Sequence, residues 1–290
     1  MSKLALGTVQ FGLNYGIANT VGQVTVAEVQ NILNIAEEAG IDTLDTAVSY
    51  GNSEQVLGEV GVKNFKVITK IPSAPKDLEE VDQWVEDQLQ MSLVHLGIPQ
   101  LYGVLLHRSE ELKGRNGEAI VRSLESLQSR GLVQKIGVSI YDPSELEYVT
   151  SLMELDLLQA PMNLLDRRLQ ASGWLAKLHA QGVEVHTRSA FLQGLLLLSQ
   201  DMIPSKFEPW ANLWDAWHCS LTDHQVTAME TCLGYLTSIS EIDRVVIGVD
   251  HCKQLVEVIQ AFSKETLTDD WEFMASEDLR LINPSNWDSL

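Results

Sequence analysis

Strand-like and helix-like segments alternate along the whole chain, and this order constrains the fold more than any other feature of the sequence. Short apolar runs such as "FKVITKI" at 65–71 are each followed by a stretch with apolar residues at helical spacing, such as 78–97. Alternating β and α elements predict a parallel sheet with helical crossovers. Eight such units, with no break in composition between them, predict an α/β fold with one domain, a closed (β/α)8 TIM barrel.

The predicted elements follow one another in pairs. The strands are predicted at 3–12, 41–47, 65–71, 101–107, 133–140, 155–161, 183–190 and 243–249. The helices are predicted at 25–40, 53–61, 78–97, 118–131, 143–153, 170–182, 223–239 and 253–263. A threonine cap at Thr25, with Glu28 three positions later, marks the start of the first helix. A doubly wound sheet would need a phosphate-binding glycine loop after the first strand, and "GTVQFGLNYG" at 7–16 lacks the GxGxxG spacing.

Composition excludes several classes of protein. The chain has 290 residues, of which 45% are hydrophobic, so it can bury one large core. Its net charge of -20 argues against binding to nucleic acid, because a polyanion would be repelled. No apolar run is long enough to predict a membrane span, and the N-terminal segment lacks a secretory pattern. The three cysteines have no metal-ligand spacing, so we expect free thiols, no metal site and a cytoplasmic location.

Four ionisable side chains stand at or just beyond the ends of three consecutive predicted strands. Asp45 ends the second strand and Tyr50 lies in the loop beyond it, while Lys70 and His107 end the third and fourth strands. Each has an ordinary structural interpretation: a turn cap for the aspartate, rim packing for the tyrosine, a solvated strand end for the lysine and a structural role for the histidine. Active sites of such barrels lie at the C-terminal ends of the strands, so the four together favour chemistry over packing.

These four residue types suit the reduction of a carbonyl group. A phenol has an unperturbed pKa of about 10, and a neighbouring lysine ammonium favours the phenolate, which makes the phenol a faster acid. A carboxylate holds the lysine charged and in place, and an imidazole can orient a carbonyl oxygen by hydrogen bonding. The set therefore predicts a proton donor aimed at a carbonyl that is being reduced.

The sequence resembles the aldo-keto reductases over most of its length, from about Leu4 to the last predicted helix. The motifs that carry the resemblance occur in the family's order: "DTAVSYGNSEQVLG", the strand-end Lys70, "VLLHRSE", "KIGVSIYDPSEL", "LLQAPMN", "TRSAFLQGLL" and "VVIGVDHCKQLVE". The resemblance implies a TIM barrel that binds NADPH or NADH without a Rossmann domain. By motif position it also implies a catalytic tetrad in which Tyr50 is the acid, Lys70 and Asp45 tune it, and His107 positions the carbonyl.

The resemblance also implies a set of cofactor-binding residues. Ser139 and Gln159 would bind the nicotinamide carboxamide, Asn163 would line the pocket, Ser189 would lie near the pyrophosphate, and Gly194 would permit close backbone approach. The remaining cofactor candidates are Gly7, Thr8, Arg188, Gly248, Asp250 and Gln254.

Two positions depart from the family pattern. Arg188 stands where many members place an aromatic residue under the nicotinamide ring; a guanidinium plane can stack too, or reach an anionic group on cofactor or substrate. Asp250 stands where many members carry a basic residue near the 2′-phosphate of NADPH. A carboxylate would repel that phosphate, so we expect a weaker preference for NADPH and use of NADH, unless the nearby Lys253 offsets this effect.

The expected function is NAD(P)H-dependent reduction of an aldehyde or ketone by a protein resembling a bacterial branch of the family, with a sugar-derived substrate as one option. We expect a small-molecule partner, no nucleic acid, no membrane, and a monomer or small homo-oligomer. The loop at 9–22, an inserted section at about 198–222 and the loop after His107 would shape the pocket, and a C-terminal tail at about 264–290 would follow the barrel. Two alternatives remain: a cofactor-binding sensor on the same scaffold, and an isomerase or aldolase that uses Lys70 as an imine-forming amine.

Overall fold

A computed structural model describes residues 2–17, 19, 22–75, 77–264 and 271–290. Eight parallel strands form a closed barrel in sequence order, and the first strand pairs with the eighth. This arrangement confirms the predicted (β/α)8 barrel. The strands are β1 Leu4–Gly7, β2 Thr43–Asp45, β3 Lys66–Ile71, β4 Leu101–Leu106, β5 Val133–Ser139, β6 Leu157–Pro161, β7 Glu184–Arg188 and β8 Arg244–Gly248.

Helices surround the barrel and connect its strands. The α-helices are α1 Val9–Gly12, α2 Val26–Glu38, α3 Ser53–Val60, α4 Val81–Leu96, α5 Gly117–Ser129, α6 Glu145–Leu152, α7 Arg168–Ala171, α8 Trp174–Ala180, α9 Ala211–His224, α10 Ala228–Ser238, α11 Cys252–Phe262 and α12 Leu279–Ile282. Short 3₁₀ helices cover Ser109–Lys113, Leu192–Leu197, Gln200–Met202, Ser205–Trp210, Glu272–Met274 and Pro284–Ser289. No helix in the described ranges combines the length and apolarity that a membrane span needs.

Local signals in the sequence explain where the main helices begin and end. Helix α2 begins after Thr25, whose hydroxyl accepts a hydrogen bond from the backbone N–H of Glu28, as the capping pattern predicts. Helix α4 ends at Gly97, which adopts a left-handed conformation with φ of 63°. A side chain there would be strained, so glycine stops the helix and turns the chain back towards the barrel.

Three predicted elements are wrong in their extent. The strand predicted at 3–12 ends at Gly7, and the chain continues into α1. The single helix predicted at 170–182 is two helices, because Gly173 has a φ of 78° that breaks the helical path. The helix predicted at 223–239 begins only after Thr227, because Gln225 takes a left-handed φ of 56° and ends the preceding helix.

The barrel and its helices bury one large apolar core, and a second apolar cluster lies beside it. The second cluster is built from 3₁₀ and helical segments after β7 together with the C-terminal segment, and it includes Phe207, Trp214, Trp217, Trp271 and Trp287. Trp214 and Trp217 lie on the buried face of α9, the helix that the tryptophan spacing indicates. Residues 265–270 of the predicted tail lie outside the described residues, and the boundaries of the insertion at about 198–222 and of the tail stay predictions.

Candidate active site

A cavity of about 510 Å³ opens at the C-terminal ends of the strands. Every candidate residue from the sequence except Lys70 and Asn163 lines it: Gly7, Thr8, Asp45, Tyr50, His107, Ser139, Gln159, Arg188, Ser189, Gly194, Gly248, Asp250 and Gln254. Lys70 lies beneath the surface with 1% of its area exposed, so it is a buried cation and not the solvated strand end that its position alone suggests. The barrel thus brings together side chains that are more than 200 positions apart in sequence.

The buried lysine is held by a bidentate ion pair. Nζ of Lys70 donates to both carboxylate oxygens of Asp45 at 2.8 Å, and to the carbonyl oxygen of Thr46 at 2.9 Å. Burial alone would lower the pKa of Lys70, but the charge of Asp45, with that of Tyr50, more than offsets this and raises it. The lysine therefore stays protonated, and a protonated amine cannot attack a carbonyl carbon. This arrangement disfavours the imine-forming alternative.

The phenol of Tyr50 lies at the boundary between this ion pair and the cavity. Its oxygen is 3.4 Å from Nζ of Lys70, which donates a long hydrogen bond to it. The ammonium also lies 5.0 Å from the centre of the tyrosine ring. The ammonium can therefore stabilise negative charge that develops on the phenol oxygen when the phenol gives up its proton.

The imidazole of His107 faces the same phenol. The two rings meet edge to face with centroids 5.8 Å apart, and a 3.1 Å hydrogen bond joins Nδ1 of His107 to the hydroxyl of Ser49. Burial is the main cause that lowers the pKa of His107 to about 4, and the positive charge of Lys70 adds to it. The ring is therefore neutral near pH 7, and with Nδ1 bonded to Ser49, Nε2 can donate to a carbonyl oxygen.

Ser139 and Gln159 continue the hydrogen-bond chain that begins at the lysine. The amide of Gln159 donates to Oδ1 of Asp45 at 2.7 Å, and the hydroxyl of Ser139 donates to Oε1 of Gln159 at 3.3 Å. These bonds fix both side chains, which line the cavity. The second N–H of the glutamine and the oxygen lone pairs of the serine remain as one donor and one acceptor, the complement of a carboxamide group.

The loop after β7 forms another wall of the cavity with an unusual backbone. Ser189, Leu192 and Gln193 have φ values of 64°, 48° and 53°, and Gly194 has a φ of 93°. Non-glycine residues in this region are strained and persist only where the surrounding structure holds them. Side-chain contacts hold this loop: Asn163 donates to the carbonyl of Ser189 at 3.1 Å. Asn163 is fully buried and does not line the cavity, contrary to the expectation for it.

The end of β8 closes the cavity on the far side. A Cβ atom at Gly248 would lie 2.5 Å from Nε2 of Gln10, so a larger residue there would have to displace the end of this flexible side chain. The backbone N–H of Asp250 donates to the side chain of Gln254 at 2.7 Å. Oδ1 of Asp250 and Oε1 of Gln10 are buried acceptors without a hydrogen-bond partner among the described residues. Two unpartnered acceptors in a cavity wall can receive hydrogen bonds from a ligand that carries hydroxyl groups.

The cavity wall also contains side chains that the sequence did not single out individually, among them Tyr15, Tyr141 and Gln193. The ring of Tyr141 lies under the guanidinium of Arg188, with Cζ 4.5 Å from the ring centre. Gln193 donates to the hydroxyl of Tyr15 at 3.1 Å, which links the loop after β1 to the loop after β7. Tyr141 follows a strand end directly and could have been found from that position, whereas the loop of Tyr15 has no periodic pattern. Positions 18, 20 and 21 of the loop at 9–22 lie outside the described residues.

Comparisons of sequence and of fold relate this chain to known proteins. A model of the aldo/keto reductase family matches residues 3–276. The NADH-specific methylglyoxal reductase of Escherichia coli is 22% identical over an alignment of 263 residues. The alignment covers 79% of this chain and 80% of that protein. The oxidoreductase sirO of Leptosphaeria maculans is 24% identical over 225 residues, and the alignment covers 74% of this chain but only 66% of that protein.

Among solved structures, the holo form of aldo-keto reductase AKR11C1 from Bacillus halodurans has a TM-score of 0.75. The superposition covers 94% of this chain and 91% of that one at 19% sequence identity, a level that supports a shared fold. The barrel fold and the family match over nearly the whole chain show that the chain belongs to the aldo/keto reductase family.

Proposed function

We propose that this protein is an oxidoreductase that reduces an aldehyde or ketone to an alcohol with a nicotinamide cofactor. One observation carries the proposal: a phenol, a neutral imidazole and a buried lysine–aspartate pair meet at one cavity in the barrel mouth. The family match supports the reaction class. A small carbonyl compound is the proposed substrate. The cysteines Cys219, Cys232 and Cys252 are free thiols, as expected in the reducing cytoplasm we propose for the protein.

The residues around the cavity fit a nicotinamide dinucleotide. Ser139 and Gln159 present the acceptor and the donor that a carboxamide needs, and Gly248 lines the cavity without a side chain. The unpartnered oxygens of Asp250 and Gln10 suit the hydroxyl groups of a ribose, which can donate to them. When bound, the cofactor would supply the hydride that reduces the carbonyl carbon.

The chain's own residues would hold the carbonyl and deliver the proton. Nε2 of neutral His107 would donate a hydrogen bond to the carbonyl oxygen and fix its position beside Tyr50. As negative charge grows on that oxygen, the phenol of Tyr50 would transfer its proton to it. The Lys70 ammonium, held by Asp45, would stabilise the phenolate that this transfer leaves behind.

The proposal is tested by cofactor titration followed by an aldehyde screen. We expect NADH or NADPH to change the protein's fluorescence, and aldehydes to cause loss of nicotinamide absorbance in a protein-dependent manner. Replacement of the phenol in Tyr50→Phe should reduce turnover by at least about 100-fold, the scale of general acid catalysis, and change the cofactor Kd less than about twofold. A variant that reduces aldehydes at the wild-type rate would exclude the tyrosine as proton donor.

We also propose that the protein uses NADH at least as readily as NADPH. Asp250 lines the cavity with an unpartnered carboxylate oxygen, and Lys253, the nearby cation, is exposed and does not line it. A 2′-phosphate carries only acceptor oxygens and negative charge, so it is a poor partner for a carboxylate, whereas ribose hydroxyls are good ones. The name of the NADH-specific relative supports the same choice. The idea is refuted if NADPH binds at least about tenfold more tightly than NADH.

A further inference from the structure

Arg188 differs from the other half-buried arginines of this chain. Arg167, Arg168 and Arg244 each form an ion pair with a carboxylate, to Glu272, to Asp142 and Asp166, and to Asp42. Arg188 is half-buried too, yet none of the carboxylates in the described residues lies within ion-pair distance of it. In a chain with 40 acidic and 20 basic residues, a half-buried arginine without such a partner needs an explanation.

The guanidinium of Arg188 is held in place by neutral groups. Its Cζ lies over the ring of Tyr141, 4.5 Å from the ring centre, one nitrogen donates to the carbonyl of Ile140 at 3.1 Å, and another lies 3.4 Å from the hydroxyl of Ser189. A guanidinium has five N–H donors, so these contacts leave donors along its edge. The side chain is thus fixed before any ligand arrives, which reduces the entropy lost on binding.

The guanidinium of Arg188 lies near the groups that are proposed to act on the carbonyl. Arg188 lines the same cavity as Tyr50 and His107, while the other cation of the site, Lys70, is covered and paired. The charge of Arg188 acts, after burial and the charge of Lys70, to lower the pKa of His107. It also acts on the phenol of Tyr15 across the cavity. A ligand held by His107 would therefore lie in the field of the guanidinium.

We propose that Arg188 forms an anion subsite of the cavity and that the preferred carbonyl substrates carry a carboxylate, which the free edge of the guanidinium binds. This inference rests on the proposed carbonyl reduction and names the substrate class for it. Hydrogen bonds from an arginine fork to a carboxylate are charge-assisted and directional. Stacking uses a face of the guanidinium and carboxylate binding uses its edge, so a stacking contact with the cofactor does not compete with this role.

The diphosphate of the cofactor is another anion that the guanidinium of Arg188 could bind. Matched acid and neutral substrates distinguish a substrate carboxylate from this diphosphate. We compare 4-carboxybenzaldehyde with 4-methylbenzaldehyde, and succinic semialdehyde with butanal, in the wild type and in Arg188→Met. We expect Arg188→Met to lower kcat/KM for the two acids at least about tenfold, and for the two neutral aldehydes less than about threefold. The lower kcat/KM for the acids should come mainly from a higher KM. Arg188→Lys should restore part of the kcat/KM that Arg188→Met loses.

Arg108→Met is the matched control for general attraction of anions. Arg108 is exposed beside the cavity and does not line it, so the same loss of charge should leave the ratio of acid to neutral kcat/KM within about twofold of wild type. An equal fall for acid and neutral aldehydes in Arg188→Met, with a higher cofactor Kd, would assign the arginine to the cofactor and overturn the proposal. An unchanged ratio of acid to neutral kcat/KM in Arg188→Met would also overturn the proposal.

Binding of a substrate-like anion tests the subsite without turnover. Calorimetric titration of the cofactor-saturated protein with benzoate should give a Kd that rises at least about tenfold in Arg188→Met, while benzamide binding stays unchanged. Benzoate binding that survives the substitution would contradict the subsite. If no aldehyde is reduced by the wild type, the proposed reaction fails, and the benzoate titration still decides the anion subsite separately.

Discussion

The two ends of the barrel carry the same four kinds of ionisable group, a carboxylate, an ammonium, a phenol and an imidazole, in different arrangements. The upper set, at the C-terminal ends of the strands, is Asp45, Tyr50, Lys70 and His107. The lower set, towards the opposite end, is Tyr102, Lys135, Glu184 and His186. Each set holds one carboxylate, one lysine, one tyrosine and one histidine. Residue types alone therefore do not identify an active site in this molecule.

The sets differ in where their hydrogen bonds go. In the lower set the hydroxyl of Tyr102 donates to Glu184 at 2.6 Å, Nε2 of His186 bonds the same carboxylate at 2.7 Å, and Lys135 forms an ion pair with it. All three side chains thus bond to one carboxylate, while Nδ1 of His186 is buried and has no hydrogen-bond partner in the described part of the chain. None of the four lines the large cavity.

In the upper set only Lys70 donates hydrogen bonds to the carboxylate of the set, Asp45. Tyr50 keeps a long bond to Lys70, His107 is bonded through Nδ1 to a serine, and both rings face the cavity. Their remaining donors can act on a ligand. We conclude that the lower network, which lies away from the cavity, stabilises the fold, while the upper network, which is open to the cavity, can act on a ligand.

The largest expected difference between the two ends concerns the lysines. Lys70→Met removes the cation beside the phenol and leaves Asp45 buried without its partner, so we expect aldehyde reduction to fall by at least about 1000-fold. Lys135→Met should keep turnover within about threefold of wild type, because Glu184 retains two other donors. Steady-state rates for both variants, with circular dichroism to verify folding, check the pair. Equal losses of turnover in the two variants would contradict the distinction between the upper and the lower set.

The carboxylate of the lower set should affect stability and not turnover. Burial alone would raise the pKa of Glu184, but hydrogen bonds from His186, Lys135 and Tyr102 hold it well below its usual range. Glu184→Gln weakens all three contacts, and we expect a loss of about 2 kcal/mol in the free energy of unfolding at pH 7 with kcat within about threefold of wild type.

The contribution of Glu184 to the stability of the fold should depend on pH. A depressed carboxyl pKa stabilises the fold above the unfolded value of about 4.3, and this contribution declines as the pH falls below that value. Denaturant unfolding at pH 7 and pH 3.5 should therefore show a smaller difference between wild type and Glu184→Gln at the lower pH. A difference that grows on acidification would contradict the assigned role.

The smallest expected effect concerns the titration of His107. Its pKa of about 4, caused by burial and then by Lys70, keeps the ring neutral through the physiological range. We expect the NMR resonances of this imidazole to be constant from pH 8 to about 5.5 and to move only near pH 4. In Lys70→Met the pKa should rise, because one of the charges that lower it is gone. A midpoint near 6.5 in the wild type would show an exposed ring that the cavity does not shield.

The sequence predicted the upper set because a parallel barrel converts neighbouring strands into neighbouring side chains. Asp45, Lys70 and His107 each stand at a strand end, and those ends meet at one mouth. The buried pairing of Lys70 was not predictable from its own surroundings, since a strand-end lysine is usually solvated. The departure at Arg188 was visible in the sequence, but its lack of an acidic partner became visible only in three dimensions.

The lower set was missed although the sequence carries a signal for it. Glu184 and His186 alternate with apolar residues in β7, which puts both side chains on the same face of the strand. The partners on β4 and β5 depend on how the strands are staggered around the barrel, which no single-strand pattern reveals. The predicted helix start at 223 is wrong because the left-handed Gln225 ends the preceding helix, and Thr227, two positions later, caps the next one.

A single-turnover experiment that compares the two tyrosines tests directly whether the upper set carries out the reaction. Wild type, Tyr50→Phe and Tyr102→Phe are saturated with reduced cofactor and mixed with excess aldehyde in a stopped-flow spectrometer, and the decay of nicotinamide absorbance is recorded. We expect Tyr102→Phe to follow wild type within about threefold and Tyr50→Phe to be slower by at least about 100-fold. Equal rates for the two variants would contradict the assignment of the chemistry to the upper end of the barrel.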